Sequence, residues 1–176
     1  VIVRGMIDRA LKADGRPPLS RHCEVPEFKH ACLGGVYAMK SAVRYLATDA
    51  AGHKAIVVAG DIAEYERGST GEQTQGAGAV AMLLEEDPAL CSIDLSGAGS
   101  SSAYRGVDFR KPVSRHRADH YTPNVERLHD FPVFNGKYST VCYLDAVIPA
   151  LTNMITKQGV GFSDALETAR AVLFHR

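Results

Sequence analysis

From Leu33 to about Leu46 the chain is apolar nearly all the way round a helix, through Val36, Tyr37, Met39, Ala42, Val43, Tyr45 and Leu46. A helix of that kind is central and buried. The chain has 176 residues, enough for one domain with a core that can enclose it. Two continuous apolar runs follow, "KAIVVAGDIA" (54–63) and "AVAMLLEE" (79–86), separated by the Gly/Thr/Gln stretch "GSTGEQTQGAG" (68–78). Runs without alternation read as buried strands. "VIV" (1–3) reads as the end of a strand, "CSIDLSGAG" (91–99) as a weakly alternating one, and "VLF" (172–174) as the start of a last one. "CYLDAVIPALTNMITKQ" (142–158) has a helical pattern in which Pro149 predicts a kink or a split. "SDALETARA" (163–171) reads as a short helix with Ser163 or Asp164 as N-cap. Between the strands and these helices lies a long irregular excursion, 100–136, of the kind that is usually functional or a lid. The order describes an α/β chain with a mixed sheet.

Net charge is zero, which removes the electrostatic footprint of a nucleic-acid binder. No apolar run approaches the roughly eighteen residues of a membrane span. There is no secretory signal pattern, and the four cysteines show neither CxxC pairing nor a metal-like His/Cys cluster. They are expected as reduced thiols in a cytoplasmic protein without a metal site, with Cys23, Cys91 and Cys142 as small buried hydrophobes. The chain starts at Val1 inside an apolar run and stops at "AVLFHR", so both ends read as cut from a longer protein.

Cys32 differs from the other thiols. In "KHACLGG" it follows a loop and stands at the mouth of the apolar helix. A helix N-terminus presents free N–H groups and partial positive charge, which stabilise a thiolate and an oxyanion. Gly34 and Gly35 have no Cβ and would let a substrate approach the backbone. The pattern suits acyl transfer onto sulfur; a buried cysteine at a helix start fits it equally. Of seven histidines, His30 is two residues from Cys32, and His175 stands at the end of an apolar run, where α/β enzymes place reactive groups.

Four segments together resemble the hydroxymethylglutaryl-CoA synthase family of thiolase-like condensing enzymes. They are "FKHACLGGVYAMKSA", "KAIVVAGDIAEYERGSTGEQTQGAGAVAMLL", "DFRKP" with "DFPVFNGKYSTVCYLD", and "VLFHR". The resemblance implies a five-layer α/β/α/β/α arrangement with a buried central helix, of which residues 1–176 would form a single domain and roughly the first half. It implies a Claisen-type condensation in which Cys32 carries an acetyl group and His175 polarises the ketone of a β-ketoacyl thioester. Thr74 and Ser139 would line the acyl pocket, Ala31 would flank the nucleophile, and Tyr65 would match an active-site-loop tyrosine. Ser139 could instead cap a helix starting near Cys142. No metal or resident cofactor is implied; acetyl-CoA and acyl-CoA, or an acyl carrier protein, would be substrates, and the intact protein would be a homodimer.

This sequence departs from the family in three places. The family's general acid–base glutamate has no counterpart before Cys32, where Asp8 is the only early carboxylate and Glu24 and Glu27 lie too close. The asparagine and second oxyanion donor would lie beyond His175. The stretch "SRHRADHYTPNVERLH" is longer and more basic than the mevalonate-pathway pattern, and could meet a phosphopantetheine phosphate or an acidic carrier protein, or be a solvated loop. Residues 1–176 alone are therefore expected to be inactive. A ketoacyl synthase III-like enzyme and a non-catalytic acyl-binding partner subunit remain alternatives.

Overall fold

The computed structural model describes residues 2–105, 109–110, 133–134 and 136–175. The basic stretch of the excursion, with His116, His120 and His129, lies outside the described residues. The elements run α1 (Ile2–Ala13), a 3-10 turn (Ala31–Leu33), α2 (Gly34–Leu46), β1 (Ala55–Ala63), a second 3-10 turn (Glu72–Thr74), β2 (Gly76–Leu84), β3 (Phe109–Arg110), β4 (Val133–Phe134), α3 (Gly136–Gln158) and α4 (Phe162–Thr168). β1 pairs with β2, and β3 pairs antiparallel with β4, Phe109 opposite Phe134. The chain divides into two compact units, one of residues 1–59 and 79–92, the other of 60–78 and 93–176.

In the first unit, residues 2–13 form a helix and not the expected strand end. Ile2, Val3, Met6, Ile7, Ala10 and Leu11 repeat at helical spacing, and Arg4 and Asp8 pair one turn apart at 3.5 Å. Arg4 also donates to the carbonyls of Leu19, Ser20 and Cys23, and Asp8 accepts the Leu19 N–H at 2.9 Å, which folds the following loop back onto the helix. The helix stops at Gly15, φ 71°, with Arg16 N–H reaching back to Leu11 C=O at 2.8 Å, a glycine-terminated C-cap.

The core sits between α2 and the strands. Leu46, Ala50, Val57 and Leu84 are buried, with Met39, Ala42, Val43 and Met82 packed against them. The strands fall where the apolar runs put them, but they are covered on one face only. Val57 is buried while Ile56 and Val58, its neighbours on the opposite face, are exposed. α2 likewise buries one stripe and leaves Val36 and Tyr37 at 42% exposure, so the expected all-round enclosure of this helix is not met by these residues alone.

In the second unit, α3 runs unbroken through Pro149 and begins at Gly136, six residues before the expected start. Pro149 removes one helical N–H, yet the helix does not split. Residues 91–99 form no strand. Their backbone groups find side chains of α3 instead: Lys157 donates to Ala98 C=O at 2.9 Å, and Asn153 accepts Ser100 N–H at 3.2 Å. Arg105 closes the same segment onto α3, donating to Asp145 at 3.2 Å and to the Tyr138 hydroxyl at 3.4 Å. Gly161, not Ser163 or Asp164, caps α4; Asp164 accepts the Gly161 N–H from the first turn. Residues 172–174 are irregular and exposed, because among the described residues no strand lies beside them to supply a ladder.

Candidate functional site

Cys32 occupies the 3-10 turn that feeds α2, and its side chain is exposed. Two features hold the turn. Leu33 N–H donates to His30 C=O at 3.0 Å, and Ala31 has φ 43°, in the left-handed region. A Cβ there costs on the order of 1–2 kcal/mol, and strain of this type gathers where a backbone is held in one special shape. His30 stacks edge-on against Tyr37 of the first α2 turn, ring centroids 5.0 Å apart. The imidazole is thus committed to the helix face.

The two glycines after Cys32 have a packing reason in the fold. A Cβ on Gly34 would sit 3.3 Å from Phe28 C=O, and one on Gly35 would sit 3.1 Å from Ala59 Cβ of β1. They let the helix pack closely on the loop before it and on the strand beneath it.

The remaining expected site residues belong to the second unit. Tyr65 and Thr74 flank the loop between β1 and β2. The Thr74 hydroxyl donates to Gly71 C=O at 2.7 Å, and Thr74 N–H donates to the same oxygen at 2.9 Å. Tyr65 N–H reaches Gln75 Oε1 at 3.4 Å. Ser139 is half-buried within the first turn of α3, so it does not cap a helix starting near Cys142. The loop and that helix start lie together, since a Cβ on Gly136 would be 3.8 Å from Thr70 Cβ. Gly68, Ser69, Thr70, Glu72 and Gln73 line an open cleft of about 470 Å³. His175 is exposed in the irregular segment after α4, not at a strand end.

Three further features escaped sequence reasoning: the left-handed Ala31, the Arg105 contacts, and Glu72, whose carboxylate accepts Gly68 N–H at 2.8 Å. No periodicity marks them, although Gly68 four residues before Glu72 suggests a turn. The thiols also differ from expectation. Cys23 and Cys91 are exposed and Cys142 is half-buried, because each lies on a loop or on a helix face that the described residues do not cover.

Residues 21–89, which contain the Cys32 turn, α2 and both strands of the larger pair, match the family model for the hydroxymethylglutaryl-coenzyme A synthase N terminus. The hydroxymethylglutaryl-CoA synthase of Haloferax volcanii is 36% identical over 148 residues, 84% of this chain and 29% of that protein. The solved structure of MvaS in complex with 3-hydroxy-3-methylglutaryl coenzyme A superposes with a TM-score of 0.69 at 32% identity, over 96% of this chain and 34% of that one. The chain belongs to the hydroxymethylglutaryl-CoA synthase family. It therefore has the thiolase-like fold of that family, and it spans about a third of the length of these relatives. A further likeness is to the curacin biosynthetic pathway HMG synthase in complex with acetyl donor-ACP, at 26% identity and a TM-score of 0.66 over 89% of this chain and 35% of that one.

Proposed function

We propose that the protein containing this chain is an acyltransferase of the hydroxymethylglutaryl-CoA synthase type. Cys32 attacks the carbonyl of an acetyl thioester; a C–S bond to the enzyme forms and the donor thiol leaves with a proton. Loss of a methyl proton to a base gives an enolate-like carbon, which adds to the ketone of a β-ketoacyl thioester. His175 supplies the hydrogen bond and then the proton to the new alkoxide. Water releases the enzyme thiol, leaving a 3-hydroxy-3-methylglutaryl-type thioester. Ala31 shapes the turn that presents the sulfur, and Tyr65, Thr74 and Ser139 line the acyl pocket.

The observation that carries this reading is the exposed Cys32 on a strained turn at the head of the 13-residue helix α2. Such a position offers helix N–H groups and dipole to a thiolate. Coenzyme A thioesters are the substrates in this reading, supported by the similarity to MvaS. An acetyl carrier protein is the second donor, supported by the likeness to the curacin pathway enzyme. A homodimer and a cytoplasmic location complete the reading; four free cysteines suit a reducing compartment.

The test is intact-mass measurement of the intact protein after brief exposure to acetyl-CoA or to an acetyl carrier protein, repeated with Cys32→Ser. The expected result is one acetyl adduct, absent in the variant. An adduct that survives Cys32→Ser, or none from either donor, would overturn the assignment. The donor that acetylates faster identifies the carrier.

A further inference from the structure

The turn that presents Cys32 is held by few bonds. Leu33 N–H donates to His30 C=O, and Gly34 N–H donates to Ala31 C=O. Neither His30 at the head of the turn nor Leu33 at the head of α2 supplies a side-chain cap. Against these bonds stands Ala31, the one non-glycine residue of positive φ among the described residues. For a residue with a Cβ, that conformation is disfavoured about five- to thirtyfold.

One side-chain contact spans the strained residue. His30 lies on its N-terminal side and Tyr37 on α2, and their rings meet edge-on at 5.0 Å and 64°. An edge-on ring pair shifts an equilibrium by roughly two- to tenfold, the same order as the bias it opposes. Returning Ala31 to negative φ would swing the chain before it, so His30 would leave Tyr37 as the turn relaxed. The ring contact therefore favours the left-handed form of the turn over the relaxed one.

We propose that His30 and Tyr37 are positioning residues, whose ring contact latches the Ala31 turn and so keeps Cys32 at the head of α2, ready to be acylated. The inference rests on the acyltransferase reading above and names two residues that set the rate of its first step. Neither residue touches the thioester in this scheme. They act through the fraction of molecules in which the turn is formed, and the observed rate scales with that fraction.

The test follows Cys32 acetylation of the intact protein by acetyl-CoA over time, by intact mass, at a series of donor concentrations. Loss of folded protein lowers the final extent of acetylation, whereas loss of the latch lowers the rate constant at saturation. Tyr37→Ala and His30→Ala are each expected to slow acetylation roughly two- to tenfold, with the half-saturating donor concentration little changed. The double variant should be no slower than the slower single one, because the two rings act as one contact. Tyr37→Phe and His30→Phe should keep the wild-type rate, since each retains a ring. In an Ala31→Gly background the left-handed form no longer needs support, so Tyr37→Ala should there change the rate by a factor close to one.

Unchanged rates in Tyr37→Ala and His30→Ala would overturn the proposal while leaving the acyltransferase reading intact. His30→Phe as slow as His30→Ala would do so too, because the imidazole would then be needed for its chemistry and not for its ring. An equal loss from Tyr37→Ala in the Ala31→Gly background would show that the effect does not pass through the turn, and would overturn it as well. Failure of the wild type to form any Cys32 adduct, from acetyl-CoA or from an acetyl carrier protein, would remove the acyltransferase reading and this inference together.

Discussion

Ala31 is the residue where local energetics and the candidate site meet. Its left-handed backbone should be relieved by glycine. The strain released is about 1–2 kcal/mol, offset by about 0.4–1 kcal/mol of added freedom in the unfolded chain. Ala31→Gly is therefore expected to be neutral to about 1.6 kcal/mol stabilising, whereas Ala31→Val should destabilise, both read by urea unfolding. Gly35 makes the opposite case, because even Gly35→Ala puts a methyl 3.1 Å from Ala59 Cβ. Overpacking of that kind is expected to cost about 1–3 kcal/mol in the same measurement. The position of Cys32 at the mouth of α2 was legible at this scale because a thiol before glycines and an apolar helix is a sequence pattern. The packing constraint on the glycines was not, since only the fold reveals that a strand lies under Gly35. The burial of Cys23, Cys91 and Cys142 was misjudged for the same cause: residue type alone says nothing about which face is covered.

Among the elements, the strands and α2 were legible from continuous apolar runs, and their observed bounds lie within a few residues of the expected ones. The first segment was not, because three apolar residues are too short a window to separate a strand from the first turn of an amphipathic helix. The 91–99 segment failed for a different reason. Its backbone is engaged by Lys157 and Asn153 of α3, and Asp94 accepts from both the Ser96 hydroxyl (2.6 Å) and N–H (2.8 Å), a local turn that competes with a ladder. Those two Ser96 bonds hold the Asp94 carboxyl below the usual carboxylate range. Because the folded value is depressed, the contribution of this turn is present above the unfolded pKa and is lost as pH falls through the folded one. The Ser96 amide resonance is expected to move with that acid transition, and Asp94→Asn should abolish the movement. Gly99 tests the packing of the same segment. A Cβ there would collide with Ala150 C=O and with Met154 in the backbone of α3. Gly99→Ala should therefore detach residues 96–101 from α3, seen as faster amide exchange there with the α2–β1 core unchanged.

Over the whole chain, the four buried apolar residues found among the described ones all belong to the α2–strand core. Ile56, Val58 and Ile62 of β1, and Leu83 of β2, are exposed at 45–72%. The sequence describes two-sided burial for these strands, and the described residues supply a cover for one side. The relatives this chain matches are about three times its length, and the prediction is that residues outside 1–176 cover the second side of β1. An exposed apolar sheet face is an association surface. Residues 1–176 expressed alone are therefore expected to bind a hydrophobic dye strongly, to associate in light scattering, and to show no condensing turnover. Ile56→Lys combined with Ile62→Lys should reduce both dye binding and association while leaving the Val57 side, and so the α2 packing, in place. In the intact protein the same pair should instead lower stability by several kcal/mol, because two lysines would then be buried without partners. Opposite effects of one substitution pair in the two contexts would identify this face as interior in the longer protein. A monomeric, dye-silent 1–176 chain would mean that the face is satisfied without the longer protein, and the two-sided reading of β1 would fall.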